Sequence, residues 1–185
     1  MPASDHTSFE PPSNPDIKIW RYMDFTKFVS MLENQGLFFS RADKLGDRFE
    51  GTYPKAEFET WMKNSATIGV PAGATSAHRK IMQAVRKWTV VNCWHMNDHE
   101  SAAMWKLYAA TNEAIAVCST YRKLHASLDG MCHVGVVRYI DYDNDVVGDG
   151  MRCLPMCANE CRFPTRMRFV RLFLVLPEKE GMAWV

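Results

Sequence analysis

The chain has 185 residues, 47% hydrophobic and 23% charged, with a formal net charge of +1. That length accommodates one domain with a continuous core, and 22 basic against 21 acidic residues leave no electrostatic footprint of a nucleic-acid groove binder. No apolar run approaches the roughly 20 residues of a membrane span, and the first residues lack the charged-then-apolar plan of a signal peptide.

In chain order, residues 1–16 hold four prolines and little that packs, which predicts a mobile tail, with one domain over 17–185. Residues 17–22 alternate as a strand does. Asp24 then offers an N-cap for a helix whose Phe25, Phe28, Val29 and Leu32 share a face, with Gly36 as its C-cap and residues 37–40 as a second strand. Residues 41–51 are polar and turn-prone. Helices are expected near 55–63 and 76–87, a buried strand over 89–95, a short helix over 100–110 and a strand over 114–118. A helix over 121–128 and a strand over 134–142 follow. Strands and helices mix without strict βαβ alternation, which predicts an α+β fold: a single domain with a mixed, mostly antiparallel sheet and flanking helices. Beyond Asp143 the pattern degrades, and no closing element is apparent before Val185. The expectation is a C-terminal part that is truncated or altered.

The six cysteines, Cys93, Cys118, Cys132, Cys153, Cys157 and Cys161, accompany no export signal. Free thiols in a reducing compartment are the simpler account, so a cytoplasmic location is expected. Cys153, Cys157 and Cys161 recur at every fourth residue, but Pro155 interrupts the run and the spacing is too wide for a usual metal loop. Cys93, His95 and His99 have the chemistry of zinc ligands. Two more ligands at a recognised spacing are missing, so no metal site is expected.

The densest polar cluster is Cys93-Trp94-His95-Met96-Asn97-Asp98-His99-Glu100-Ser101, where a strand leaves the core and a helix begins. Such junctions present side chains to a cleft while the sheet holds them in place, although Asn97 or Asp98 also serves as an N-cap there. Asp47 and Glu50, three apart and followed by Gly51, suit acid–base work or cation binding as well as a solvated turn. Arg21, next to Tyr22 on the first strand, needs a carboxylate or phosphate partner: Asp47 or Glu50 in a structural reading, an anionic ligand in a functional one. No Gly-rich phosphate loop, G-x-S-x-G elbow or H-E-x-x-H helix is present.

Four ordered blocks are similar to the bacterial domain-of-unknown-function family 2971, over about Ile17 to Tyr142. They are Trp20-Arg21-Tyr22 with Gly36-Leu37-Phe38-Phe39-Ser40-Arg41, Leu45-Gly46-Asp47-Arg48-Phe49-Glu50-Gly51, Cys93-Trp94-His95 with Glu100-Ser101 through Met104-Trp105 to Tyr108, and Ala114-Ile115-Ala116-Val117. The resemblance implies a site of Arg21, Asp47, Glu50, Trp94, His95, Glu100, Ser101, Trp105 and Tyr108. It implies no settled activity. The family's late Glu-x-Glu-x-Arg block corresponds here to Arg166-Met167-Arg168-Phe169-Val170-Arg171, which has no glutamate.

The order of an early Arg, a strand-to-helix junction and a late Glu is analogous to the motifs of ADP-ribosyltransferases. The first expectation is therefore an NAD-binding enzyme of that kind. Glu100, His95, Asp47 and Glu50 would be catalytic, and Arg21, Tyr22, Trp94, Ser101, Trp105 and Tyr108 would hold a small-molecule or nucleotide ligand. In that arrangement Arg21 takes a phosphate, and Trp94 or Tyr108 stacks on a ring. The alternatives are a non-catalytic sensor or interaction module of a phage-defence type system, and a metal-dependent nuclease using Asp47, Glu50, His95 and Glu100. Oligomeric state is not legible in the sequence.

Overall fold

The computed structural model describes residues 9–46, 54–67, 74–108, 113–128, 130–145, 157–159 and 169–175. The elements run β1 (Lys18–Asp24), α1 (Phe25–Glu33), β2 (Ser40–Arg41), a 3-10 turn (Ala42–Lys44), α2 (Lys55–Thr67), α3 (Ala74–Trp88) and β3 (Thr89–Met96). They continue as α4 (Ala102–Tyr108), β4 (Ala114–Thr120), α5 (Tyr121–Ser127), β5 (His133–Val136), β6 (Arg138–Ile140), β7 (Cys157–Asn159) and β8 (Phe169–Val175). A six-stranded sheet follows the order β4-β1-β3-β8-β5, with β2 also paired to β3, while β6 and β7 form a separate parallel pair. β1 is antiparallel to β4 and to β3, and β5 to β8. The fold is α+β with a mostly antiparallel sheet.

Two compact units are each built from three chain segments. The first comprises Met1–Phe39, Val91–Val137 and Arg162–Phe173; the second comprises Ser40–Val90, Arg138–Cys161 and Leu174–Val185. The first unit carries β4, β1 and β5 whole, residues 91–96 of β3 and residues 169–173 of β8.

Local chemistry explains where α1 begins and ends. Asp24 caps it, its carboxylate accepting from the Lys27 backbone N–H at 2.9 Å and pairing with the Lys27 ammonium at 2.7 Å. At the other end the left-handed position falls on Gln35, with φ of 49°, and the Gly36 N–H reaches the Met31 carbonyl at 3.2 Å. The sequence marks Gly36 as the cap, but the chain turns one residue earlier, in the wrapped geometry of a Schellman-type ending. The shared apolar face of α1 is not covered: Phe25, Val29 and Leu32 are 48%, 43% and 58% exposed.

The expected tail over 1–16 is docked from Phe9 onward. Phe9 is buried and stacks on His133 with ring centroids 4.9 Å apart, and the Glu10 carbonyl accepts from the Val136 N–H. Asp16 pairs with Arg122 at 2.7 Å. Gly135 makes this docking fit, because a Cβ there would lie 2.9 Å from the Phe9 Cα. Composition misleads here: four prolines discourage a helix, but they do not prevent an extended segment from packing on a sheet edge.

Two further expectations are corrected. The strand read over 134–142 breaks at Val137 into β5 and β6, which pair with different partners. The late segment does contain a sheet element, since β8 lies between β3 and β5. Every residue of β3 except Cys93 is buried, so both faces of that strand are covered, its polar Thr89, Asn92 and His95 included. Among the described residues, Cys93, Cys118 and Cys132 are in no disulfide. No described helix is long and apolar enough to cross a membrane.

Candidate functional site

β1, the 91–96 part of β3 and α4 all belong to the first unit and bring most of the expected residues near one another. Strand alternation divides them into two sets. Trp20 is paired with His95, so Trp20, Tyr22 and His95 share one face of the sheet. Ile19 is paired with Met96, so Ile19, Arg21, Asn92, Trp94 and Met96 share the opposite face.

On the Tyr22 face, α4 closes over the sheet. The Tyr22 hydroxyl accepts from the Ser101 backbone N–H at 2.9 Å, and the Tyr22 ring meets Trp105 edge-on with centroids 5.1 Å apart. The His95 ring lies 6.3 Å from that of Tyr22. Glu100 is exposed and accepts from the Trp105 indole at 3.0 Å. The Ser101 hydroxyl accepts from the Met104 N–H, so Ser101 caps α4 in place of Asn97 or Asp98. Asn97 instead gives its carbonyl to the Trp20 indole at 2.8 Å. Burial holds the Tyr22 phenol above its ordinary pKa and the His95 imidazole below its own. Both rings are therefore neutral near pH 7, and the cluster is an aromatic, hydrogen-bonding wall.

On the opposite face Arg21 is half-buried. The β1–β3 ladder comprises the pairs Ile19↔Met96 and Trp20↔His95, and just beyond it the Arg21 Nη1 donates to the Cys93 carbonyl at 2.6 Å. A guanidinium offers five donors in a rigid fork, and no described carboxylate lies within ion-pair distance of this one. Burial pulls its pKa down, while the nearby Cys93 thiol and Tyr108 phenol act the other way. The group stays cationic, partly stripped of water, with donors to spare. Tyr108, 47% exposed at the end of α4, is the aromatic ring in its electrostatic neighbourhood.

Trp94 is only 3% exposed, so its ring is not open to stack on a ligand. Its Nε1–H is buried and has no partner among the described residues, and the same is true of the Asn92 Oδ1. The Asn92 Nδ2 donates to the Phe38 carbonyl at 2.7 Å. Asp47 and Glu50 lie outside the described residues. Sequence reasoning passed over Asn92, although the period of two already places it on the face of Trp94 and Arg21. It also missed the Cys93 carbonyl, because a backbone acceptor leaves no mark in side-chain patterning.

Among the described residues no group of three or more His, Cys, Asp or Glu side chains could hold a metal ion. Comparison with protein-family models, with curated proteins and with solved structures returns no match.

Proposed function

We propose that the first unit binds a phosphate-bearing nucleotide of the NAD type, with a phosphate on Arg21 and a ring against Tyr108. The observation that carries this reading is Arg21 itself: a half-buried guanidinium with one carbonyl partner at 2.6 Å and no described carboxylate beside it. A cation in that position is best matched by an anion supplied from outside, and a planar fork suits phosphate oxygens. The order of an early Arg and a strand-to-helix junction, analogous to ADP-ribosyltransferases, points the same way. Binding is proposed ahead of turnover, because the stretch corresponding to the family's Glu-x-Glu-x-Arg block has no glutamate. In the catalytic form of the reading, Glu100 would supply the carboxylate and His95, neutral near pH 7, the proton acceptor.

Thermal unfolding with millimolar NAD, ADP-ribose or ATP tests the reading. A ligand at about 100 times its Kd adds roughly 2.7 kcal/mol, or about 5–10 °C for a chain of this size. Arg21→Met should abolish the shift and Arg21→Lys should retain part of it. No shift with any of the three nucleotides, or an equal shift in Arg21→Met, overturns the reading.

A second reading, an interaction module, is favoured by one observation: the uncovered apolar face of α1, formed by Phe25, Val29 and Leu32. It predicts that Leu32→Glu leaves the melting temperature nearly unchanged but suppresses self-association or partner capture in sedimentation. Indifference of sedimentation to Leu32→Glu removes this reading.

A further inference from the structure

The six-stranded sheet has two edges, and the chain treats them differently. At the β5 edge the Val136 N–H turns outward and donates to the Glu10 carbonyl at 2.9 Å, so the early chain lies along it. At the other edge lies β4, paired only with β1 among the described residues. The ladder fixes which backbone groups of β4 point outward. The Phe25 N–H donates to the Glu113 carbonyl at 3.1 Å and the Tyr121 N–H to the Ile17 carbonyl at 3.2 Å. Hydrogen-bonded pairs alternate along an antiparallel ladder, so Ile115, Val117 and Ser119 turn their N–H and C=O groups towards β1. Ala114, Ala116 and Cys118 turn theirs away, where no described residue meets them.

An unpaired edge invites pairing, and proteins that must avoid it place a Lys, a Pro or a bulge there. β4 reads Ala-Ile-Ala-Val-Cys-Ser-Thr, without charge or proline, and its register with β1 is unbroken. We propose that two copies of this chain pair antiparallel through β4 about a two-fold axis at Val117, which continues the sheet across both copies. In that register Ala116 of each copy lies opposite Cys118 of the other, so outward groups meet outward groups. The two Val117 side chains face each other at a non-hydrogen-bonded site, where side chains approach most closely. The ends match as well. Exposed Glu113 precedes β4, and exposed Arg122 and Lys123 follow it, so antiparallel pairing brings the acid of each copy towards the bases of the other. That fit singles out a second copy ahead of an unrelated extended peptide. The inference goes beyond the nucleotide reading and does not depend on it. It needs only the β4 edge, whereas the interaction reading above rests on α1.

Sedimentation of the full chain at up to about 100 µM should show a dimer, since that range detects a micromolar Kd. Ala116→Pro removes an outward N–H without taking a hydrogen bond from the β1 ladder, and Cys118→Lys puts a charge on an exposed position of the edge. Each should weaken dimerisation about tenfold or more while leaving the circular dichroism unchanged. Amide hydrogen exchange in the unaltered chain gives a second readout that no misfolded variant spoils. The N–H groups of Ala114, Ala116 and Cys118 should gain protection as concentration rises, while those of Ile115, Val117 and Ser119 stay protected throughout. A monomer at every concentration overturns the proposal. Protection of Ala116 and Cys118 that does not change with concentration also overturns it, because the chain then covers its own edge. A dimer that survives both substitutions overturns it too, and loss of that dimer in Leu32→Glu would assign the contact to the α1 face.

Discussion

His95 shows how a single side chain links the site to stability. Burial lowers its pKa in the folded protein, so between that value and the ordinary value near 6.5 the unfolded chain binds more protons than the folded one. Stability from this residue is therefore fully present above about pH 6.5 and is lost as the pH falls below it. Urea midpoints at pH 7.5 and 5.5 should differ for the unaltered protein, and the difference should shrink in His95→Gln. An unchanged difference would mean that other groups carry the acid sensitivity. Trp94 illustrates the limit of reading residue types alone. Its identity suggests a stacking platform, whereas its position on the covered central strand buries the ring.

At the scale of elements, the turns after α1 and around β5 carry the clearest consequences. Gln35 occupies a left-handed conformation that glycine adopts without strain, so Gln35→Gly should stabilise the chain by about 0.5–1 kcal/mol, or about 2 °C in melting temperature. Gly135 has the opposite sensitivity. Gly135→Ala drives a methyl against the Phe9 backbone and should cost about 1–3 kcal/mol, read as a lowered melting temperature. If that cost persists after residues 1–16 are removed, the docking of Phe9 is not its cause. The elements themselves were largely legible: β1, α1, α2, α3, β3, α4, β4 and α5 all fall near their expected positions, because periodicity and caps are local signals. β8 was not, since four arginines in the ten residues 162–171 obscure a strand whose pairing is decided by neighbours far away in sequence.

For the whole molecule, the position of β8 is decisive. It lies within the sheet between β3 and β5, and its residues 169–173 belong to the first unit. A chain ending at residue 160 loses that strand and exposes the edges of β3 and β5. It should show no cooperative thermal transition, or one lowered by far more than any point substitution considered above. A truncated chain that melts like the full one would mean that the sheet does not need β8.

The sequence by itself determined the α+β class, most helix and strand positions, and the residues with chemistry to offer, because each of these follows from local periodicity and side-chain type. Only the tertiary structure decided which of them share a face. Arg21 and Tyr22 are adjacent in sequence, but the pleat turns them to opposite faces, and Tyr22 meets Ser101 and Trp105 while Arg21 reaches the Cys93 carbonyl. The docking of Phe9 and the placement of β8 in the sheet are tertiary decisions of the same kind. Each depends on a partner far away in sequence, a glycine or a strand, whose approach leaves no trace in the local pattern.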